Sequence, residues 1–300
     1  MQIIQPTDTQ DWLHLRTQDI TSTDVAALFG ISPYLTKFEL WHRKKRGEIV
    51  ELSENKRMKW GTALQDTIAA QIAKDHGWTI RRMTEYIRDE TIRAGASFDF
   101  AIGEDGLLEI KNVDGRIYRD NWIEDDNGNI QAPPHIEIQV QHQLLVSGRE
   151  YAYIGALVGG NDEKLIYRKR DEMVIAVIRQ AVKEFWESIN NNTPPEPNFV
   201  EDAAFISKLY GYAEPNKVLD VRGDEKFQAM MENYKELGEV IKEKQSARDA
   251  IKAELLTIVG DAEKVTGDSF TISAGIVAGA DISYHRNEYR MFKPSWRKKK

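Results

Sequence analysis

The 300-residue chain contains no cysteine. Disulfides, thiolate metal sites and a cysteine nucleophile are therefore excluded, which suits a reducing cytoplasm. Long apolar runs are missing as well, so no segment reads as a membrane span. The first residues, "MQIIQPTDTQDW", show neither the basic segment nor the apolar core of a secretory leader. Positive charge is scarce: 41 Lys and Arg face 48 Asp and Glu, a formal net charge of −7. A general polyanion binder is basic as a rule, so any contact with nucleic acid has to be local and oriented. Internal repeats and low-complexity segments are absent too. What is present is 41% hydrophobic and 30% charged residues, enough for a real core under a soluble surface.

"DITSTDVAALFG" reads as a capped helix start, with Thr21, Ser22 and Thr23 offering cap oxygens. "TKFELWHRKKRGE" reads as a short helix closing at Gly47, and its basic end either tracks a DNA backbone or simply suits a helix terminus. In "MKWGTALQDTIAAQIAKDHGW", Leu64, Ile68 and Ile72 recur at helical spacing. Residues 96–102 and 107–113 predict two strands around the turn "GEDG". A polar loop follows, then an amphipathic helix over 135–147, two strands, and a helix in "DEMVIAVIRQAVKEFWESI". "NNNTPPEPN" is the strongest linker signal. Beyond it, residues 224–258 predict a long charged amphipathic helix or a helical pair, followed by small strands and a basic "RKKK" end.

Chemistry concentrates in "GASFDFAIGEDGLLEIKN", residues 95–112. Side chains alternate along a strand, so Glu109 and Lys111 share a face and Ile110 points the other way. Asp99, on the neighbouring strand, can reach the same face. Two carboxylates form a hard-cation site suited to Mg²⁺ or Mn²⁺. A lysine beside them can orient or help deprotonate a water, and it can stabilise charge at a phosphoryl centre. By itself Glu-x-Lys also fits an ordinary ion pair on a solvated strand. The flanking runs "GASFDFAI" and "GLLEI" are apolar, however, and charges buried among them need partners or a metal. His135 and His142 lack ligand spacing and read as structural. At least one of Gln139, Gln141 and Gln143 should point inward, because Ile136, Ile138, Val140 and Leu144 leave little solvent face.

Five boxes in order resemble the lambda-exonuclease/YqaJ-like viral recombinase family, a branch of the PD-(D/E)xK nucleases. They are "DWLHLRTQDITSTDVAALFGISPY", "WGTALQD", "YIRDETIRAGASFDFAI" with "GLLEIKN", "EIQVQHQLLVSGREYAYIGAL" and "RDEMVIAVIRQAVKEFW". The resemblance covers about residues 10–200. It implies an α/β fold with a PD-(D/E)xK restriction-endonuclease-like core, a central mixed sheet flanked by helices. We place that core in residues 1–215, and a C-terminal helical arm with a small β appendage in 216–300. The resemblance further implies that Asp99, Glu109 and the Ile110 carbonyl bind Mg²⁺, which Mn²⁺ can replace, with Asp89 as a further acidic position near the metal. Lys111 would be the catalytic lysine. Arg16, Thr23, Ser97, Gln139 and Gln141 fall where the family contacts DNA phosphate, Arg16 and Thr23 at the 5′ end. Read from its surroundings alone, Arg16 is also a surface arginine packed on Trp12.

One departure matters. The family usually has glutamate where this chain has Gln65, a poorer ligand for a second metal ion, and Asp66 points about 100° away on a helix. The implied activity is a 5′→3′ exonuclease that digests one strand of linear duplex DNA with 5′-phosphate ends and leaves 3′ tails for a single-strand annealing protein. Such a protein is phage- or prophage-encoded and works in the bacterial cytoplasm without a membrane. A homo-oligomer is implied, a ring trimer being one form. Two alternatives stay open: a structure-specific or single-strand nuclease on the same core, and a DNA-end-binding adaptor whose catalysis is weakened by Gln65.

Overall fold

The computed structural model describes residues 1–49 and 56–296, so the terminal "RKKK" lies outside the described residues. Strand β1 (Gln2–Ile4) leads into α1 (Thr9–Gln18), capped by Asp8, which accepts from the Asp11 amide at 2.8 Å. Then come β2 (Ile20–Thr21) and the short, fully buried α2 (Val25–Leu28). The expected cap at Thr21–Thr23 does not form. The N-cap is Asp24, and its carboxylate turns back to the Thr21 amide and hydroxyl and to Lys44. Helix α3 (Lys37–Arg46) starts on Thr36 and stops at Gly47, whose φ of +60° favours glycine. Two lysines of its basic end are structural: Lys44 donates to the carbonyls of Arg16 and Asp19, and Lys45 to that of Ile189.

Helix α4 (Lys56–His76) precedes five strands: β3 (Ile80–Arg82), β4 (Tyr86–Asp89), β5 (Ala94–Ala96), β6 (Phe100–Ile102) and β7 (Gly106–Val113). The polar stretch after them holds a helix, α5 (Gly115–Asn121), started by Asp114, and the small hairpin β8 (Ile123–Glu124) with β9 (Ile130–Gln131). Helix α6 (Pro134–Ser147), strands β10 (Tyr151–Val158) and β11 (Asp162–Lys169), and helices α7 (Glu172–Asn190) and α8 (Ala203–Leu209) follow. Contacts divide the chain into units Met1–Ile206 and Ser207–Lys300.

The first unit is built on a five-stranded mixed sheet of order β11-β10-β7-β6-β3. Strands β7 and β10 are parallel, joined by the long crossover through α5 and α6. The remaining neighbours are antiparallel. A four-stranded sheet, β1-β4-β5-β2, stands beside it. Strand alternation divides the core. Leu108 and Ile110 pack with Ile68, Ala69 and Ile72 of α4. Leu107 joins the larger cluster with Val140 and Leu144 of α6 and Ile178 and Val182 of α7. Helix α4 lies close to the sheet because Gly155 has no side chain: a Cβ there would sit 2.5 Å from Ile72 Cδ1.

The second unit carries one continuous helix, α9 (Glu225–Val259), rather than a helical pair. A hairpin of β12 (Lys264–Thr266) and β13 (Thr271–Ser273) follows, and residues 274–296 form no further regular element. Among the described residues no helix is long and apolar enough to cross a membrane.

Candidate active site

The chain breaks its extended run at Ser97–Asp99, where it leaves β5 of one sheet and enters β6 of the other. The sequence predicts strand from residue 96. The structure starts β6 at Phe100, and the Asp99 carboxylate takes the place of a ladder partner, accepting from the Ile110 amide at 2.7 Å. A strand residue sends its N–H and C=O to the same edge, so the Ile110 carbonyl leaves β7 on the Asp99 side. Gln65 of α4 also hydrogen-bonds Asp99. Burial, and then the charge of Glu109, push the Asp99 carboxyl up to about 7.

Glu109 is 5% exposed and fully engaged. Its Oε1 accepts from Lys111 Nζ at 2.7 Å and from Gln139 Nε2 at 2.6 Å, and its Oε2 accepts from Gln143 Nε2 at 2.7 Å. Lys111 also donates to Gln139 Oε1 at 3.1 Å. Burial alone would draw the Lys111 ammonium down. The charge and hydrogen bond of Glu109 outweigh it and lift the group above its ordinary value. Lys111 is therefore a fixed cation. Tyr34 and His135 stand at its side, their rings edge to face at 5.8 Å, and Tyr34 is 79% exposed.

A polar chain runs outward from this cluster. Gln143 Nε2 reaches the Ser97 carbonyl at 3.4 Å, while Ser97 Oγ accepts from Trp12 Nε1 at 2.7 Å. The Arg16 guanidinium lies over the Trp12 ring, 4.7 Å from its centroid, and donates to Thr23 Oγ1 at 2.9 Å. Arg16 thus packs on Trp12, the reading its surroundings suggest, and this stacking sets it beside Thr23.

Two expected members lie elsewhere. Asp89 sits on β4 of the other sheet, where it accepts from the Thr91 amide and hydroxyl and pairs with Arg179 at 2.9 Å. Burial would raise its carboxyl, but those bonds hold it below the ordinary carboxylate value. Gln141 faces away from Gln139, two residues and about 200° around α6. It donates to the Lys169 carbonyl at 2.9 Å and accepts from the Asp171 amide at 3.0 Å, tying α6 to the start of α7.

Two further residues join the site: Gln143, expected only as one of three glutamines of which at least one turns inward, and Arg82, which the sequence did not single out. Gln143 follows Gln139 by four, one helical turn, and its buried Oε1 has no partner. Arg82 of β3 reaches Gln65 Oε1 at 3.4 Å and pairs with exposed Asp66. A cation therefore stands beside the position where the resemblance puts a glutamate. His142, from the same helix, is fully buried, and burial pushes its imidazole down to about 4.

The donors fit a hard divalent cation: two carboxylates and a carbonyl, with the Asp99 carboxyl raised first by burial and then by the charge of Glu109. Among the described residues there is no cluster of three or more His, Asp and Glu side chains that could hold a metal.

Residues 11–150 match the model of the YqaJ-like viral recombinase domain. The uncharacterized protein YqaJ of Bacillus subtilis (strain 168) is 28% identical over 261 residues, covering 84% of this chain and 79% of that protein. The alkaline exonuclease LHK-Exo from Laribacter hongkongensis shares the fold at 20% identity, with a TM-score of 0.52 over 66% of this chain and 99% of that one. LHK-Exo in complex with dAMP gives 0.50 at the same identity and coverage. The core is thus the expected PD-(D/E)xK-like fold, a mixed sheet flanked by helices. Residues 11–150 are thus similar to the YqaJ-like viral recombinase domain family, whose model takes in the first boxes read along the sequence and ends before the last, and the relative and the fold agree with that likeness.

Proposed function

We propose that this chain is a Mg²⁺-dependent 5′→3′ exonuclease that digests one strand of linear double-stranded DNA and leaves 3′ single-stranded tails. The observation that carries this reading is the chain of contacts from Lys111 and Glu109 through Gln143, Ser97 and Trp12 to Arg16, with Asp99 held beside it on the Ile110 amide. It supports a cutting centre and an anion pocket held at a set separation. Asp99, Glu109 and the Ile110 carbonyl would hold the ion, Mg²⁺ or in its place Mn²⁺. When bound, it supplies Lewis-acid charge at the scissile phosphate and its leaving oxygen. Glu109 holds Lys111 protonated, so Lys111 acts as a donor that orients the attacking water and steadies charge on phosphoryl oxygens. Gln139 keeps Lys111 and Glu109 in register by bonding both.

Arg16 and Thr23 would take the 5′-terminal phosphate, with Ser97 on the path between the two sites. A guanidinium grips phosphate through paired charge-assisted hydrogen bonds. The 3′ tails would pass to a single-strand annealing protein in the cytoplasm of a bacterial host, the gene being carried by a phage or prophage. Assembly into a homo-oligomer, such as a ring of three, would add processivity.

A second reading has its own observation. Arg82 and the amide of Gln65 occupy the place of a further carboxylate, which favours a DNA-end-binding adaptor with weak catalysis. The test compares a linear 5′-phosphorylated duplex with a covalently closed circle, in Mg²⁺ and in chelator. Degradation of the linear form alone, in Mg²⁺ alone, is the expected result. Cutting of the circle points to a structure-specific nuclease. Tight end binding with no cleavage points to the adaptor.

A further inference from the structure

Helix α9 repeats apolar residues at alternating steps of three and four. The first half carries Phe227, Met230, Tyr234, Leu237 and Ile241 in this spacing, and the second half resumes with Ile251, Leu255 and Ile258. The two positions between them in the same rhythm are Lys244 and Arg248. This is a heptad rhythm, the spacing along which two helices pack as a seam, with Met231 and Val240 flanking it. Its apolar members are between 39% and 77% exposed, and the helix has no buried residue. The edge of Phe292 meets Tyr234 at 5.7 Å, leaving Tyr234 still 53% exposed.

We propose that the α9 seam pairs with α9 of a second copy of this chain as an antiparallel coiled coil. The polar break selects both the occupant and its direction. In a parallel pair Lys244 would face Lys244 and Arg248 would face Arg248 of the other copy, two layers of like charge in the middle of the seam. Antiparallel, with Phe227 opposite Ile258, each cation meets an apolar residue instead: Lys244 faces Ile241 of the second copy, and Arg248 faces its Leu237. Their long stems pack there while the charged heads reach solvent. Charge along the helix agrees. Residues 225–241 hold four glutamates against two lysines, and residues 244–259 hold three cations against two carboxylates. Antiparallel alignment sets the acidic half of each copy against the basic half of the other. Within its own helix Lys244 meets the adjacent Glu243, at 3.6 Å. Such a seam would run about 46 Å.

The pairing is two-fold and self-complementary, so it differs from the head-to-tail contact that closes a three-membered ring. It goes beyond the nuclease reading and stands or falls without it.

The test uses the full chain, which has no cysteine of its own. Met230→Cys and Leu255→Cys proteins are treated with a short bis-maleimide, each alone and then mixed. On one helix these positions are about 38 Å apart, beyond the reagent's reach. The antiparallel seam predicts cross-linked dimer in the mixture and at least tenfold less in either variant alone. Adding Ile251→Asp to both variants, an exposed position that faces Tyr234 of the second copy and need not disturb folding, should cut the cross-linked fraction at least tenfold. Circular dichroism of the variants confirms that the helix is intact. Cross-linking of each variant with itself would overturn the proposal in favour of a parallel pair. No cross-link in the mixture, with helix content preserved, would overturn it in favour of another cover for the seam.

Discussion

Asp99 and Glu109 place two carboxylates in one partly buried site, and the folded chain keeps the Asp99 proton up to a pH of about 7 against 3.8 for a free side chain. An acid whose folded value is raised favours the folded state at low pH and loses that contribution as pH rises. The metal-free protein should therefore lose stability from this group between pH 4 and 7. Thermal melts in chelator should show a smaller loss across that window for Asp99→Asn than for wild type, and added Mg²⁺ at pH 7.5 should raise the melting temperature of wild type far more. Parallel pH profiles for the two proteins would contradict this. Glu109 holds the Lys111 ammonium above its ordinary value, and in the proposed role of donor its loss in Lys111→Ala should lower turnover by roughly 10²- to 10³-fold while DNA-end binding is retained. For Arg16→Ala, the faster digestion of 5′-phosphorylated over 5′-hydroxyl duplex should largely vanish, a loss of about 2–4 kcal/mol if the contact acts in the transition state. Initial rates on matched ends measure it, and equal wild-type rates on both ends would remove the anchor. The three charged residues were legible because strand alternation alone puts Glu109 and Lys111 on one face. Gln143 was legible only as one of three glutamines of which at least one turns inward, because its role depends on which side of α6 meets the sheet. Arg82 comes to Gln65 only through the packing of α4 against β3.

At the scale of elements, two glycines mark where the packing of the first unit is tightest. Gly95 of β5 lies against the buried pair of Tyr86 and Asp19. A Cβ there would fall 2.0 Å from Tyr86 Oη and 2.8 Å from Asp19 Oδ2. Neither can give way, because the hydroxyl donates to Asp19 at 3.0 Å and Arg88 holds the same carboxylate at 2.8 Å. Gly95→Ala should cost about 1–3 kcal/mol in denaturant unfolding. Gly155→Ala should cost less, since its nearest neighbours are the methyl ends of Ile72, Leu108 and Ile110. Equal costs would mean that the Asp19–Tyr86 pair is not the rigid joint described. The helices with strong apolar period, α4 and α7, were readable from sequence. Helix α5 was not, because its seven residues, "GRIYRDN", begin with glycine and show no apolar stripe. The Thr21–Thr23 cap failed for a tertiary reason: Lys44 from α3 draws Asp24 back into a buried polar knot.

At the scale of the whole molecule, a net charge of −7 leaves little room for an extended basic track, so a few placed contacts must hold the DNA. The affinity for duplex ends should then fall with salt at a log–log slope between about −2 and −4, equivalent to two to four phosphate contacts. A slope steeper than about −6, read by fluorescence anisotropy, would reveal a broad basic surface instead. The division into two units was only partly visible in the sequence: the Asn/Pro cluster stands out, yet the chain passes it and adds most of α8 before residue 207. The account as a whole rests on Glu109, the carboxylate that bonds Lys111, Gln139 and Gln143 together. Its most direct test is the initial rate at which Glu109→Gln digests a 5′-phosphorylated linear duplex in Mg²⁺, beside wild type. The amide preserves the shape and removes the charge, so the rate should fall by about 10³-fold or more with the circular dichroism spectrum unchanged. A rate within tenfold of wild type would place the catalytic centre elsewhere.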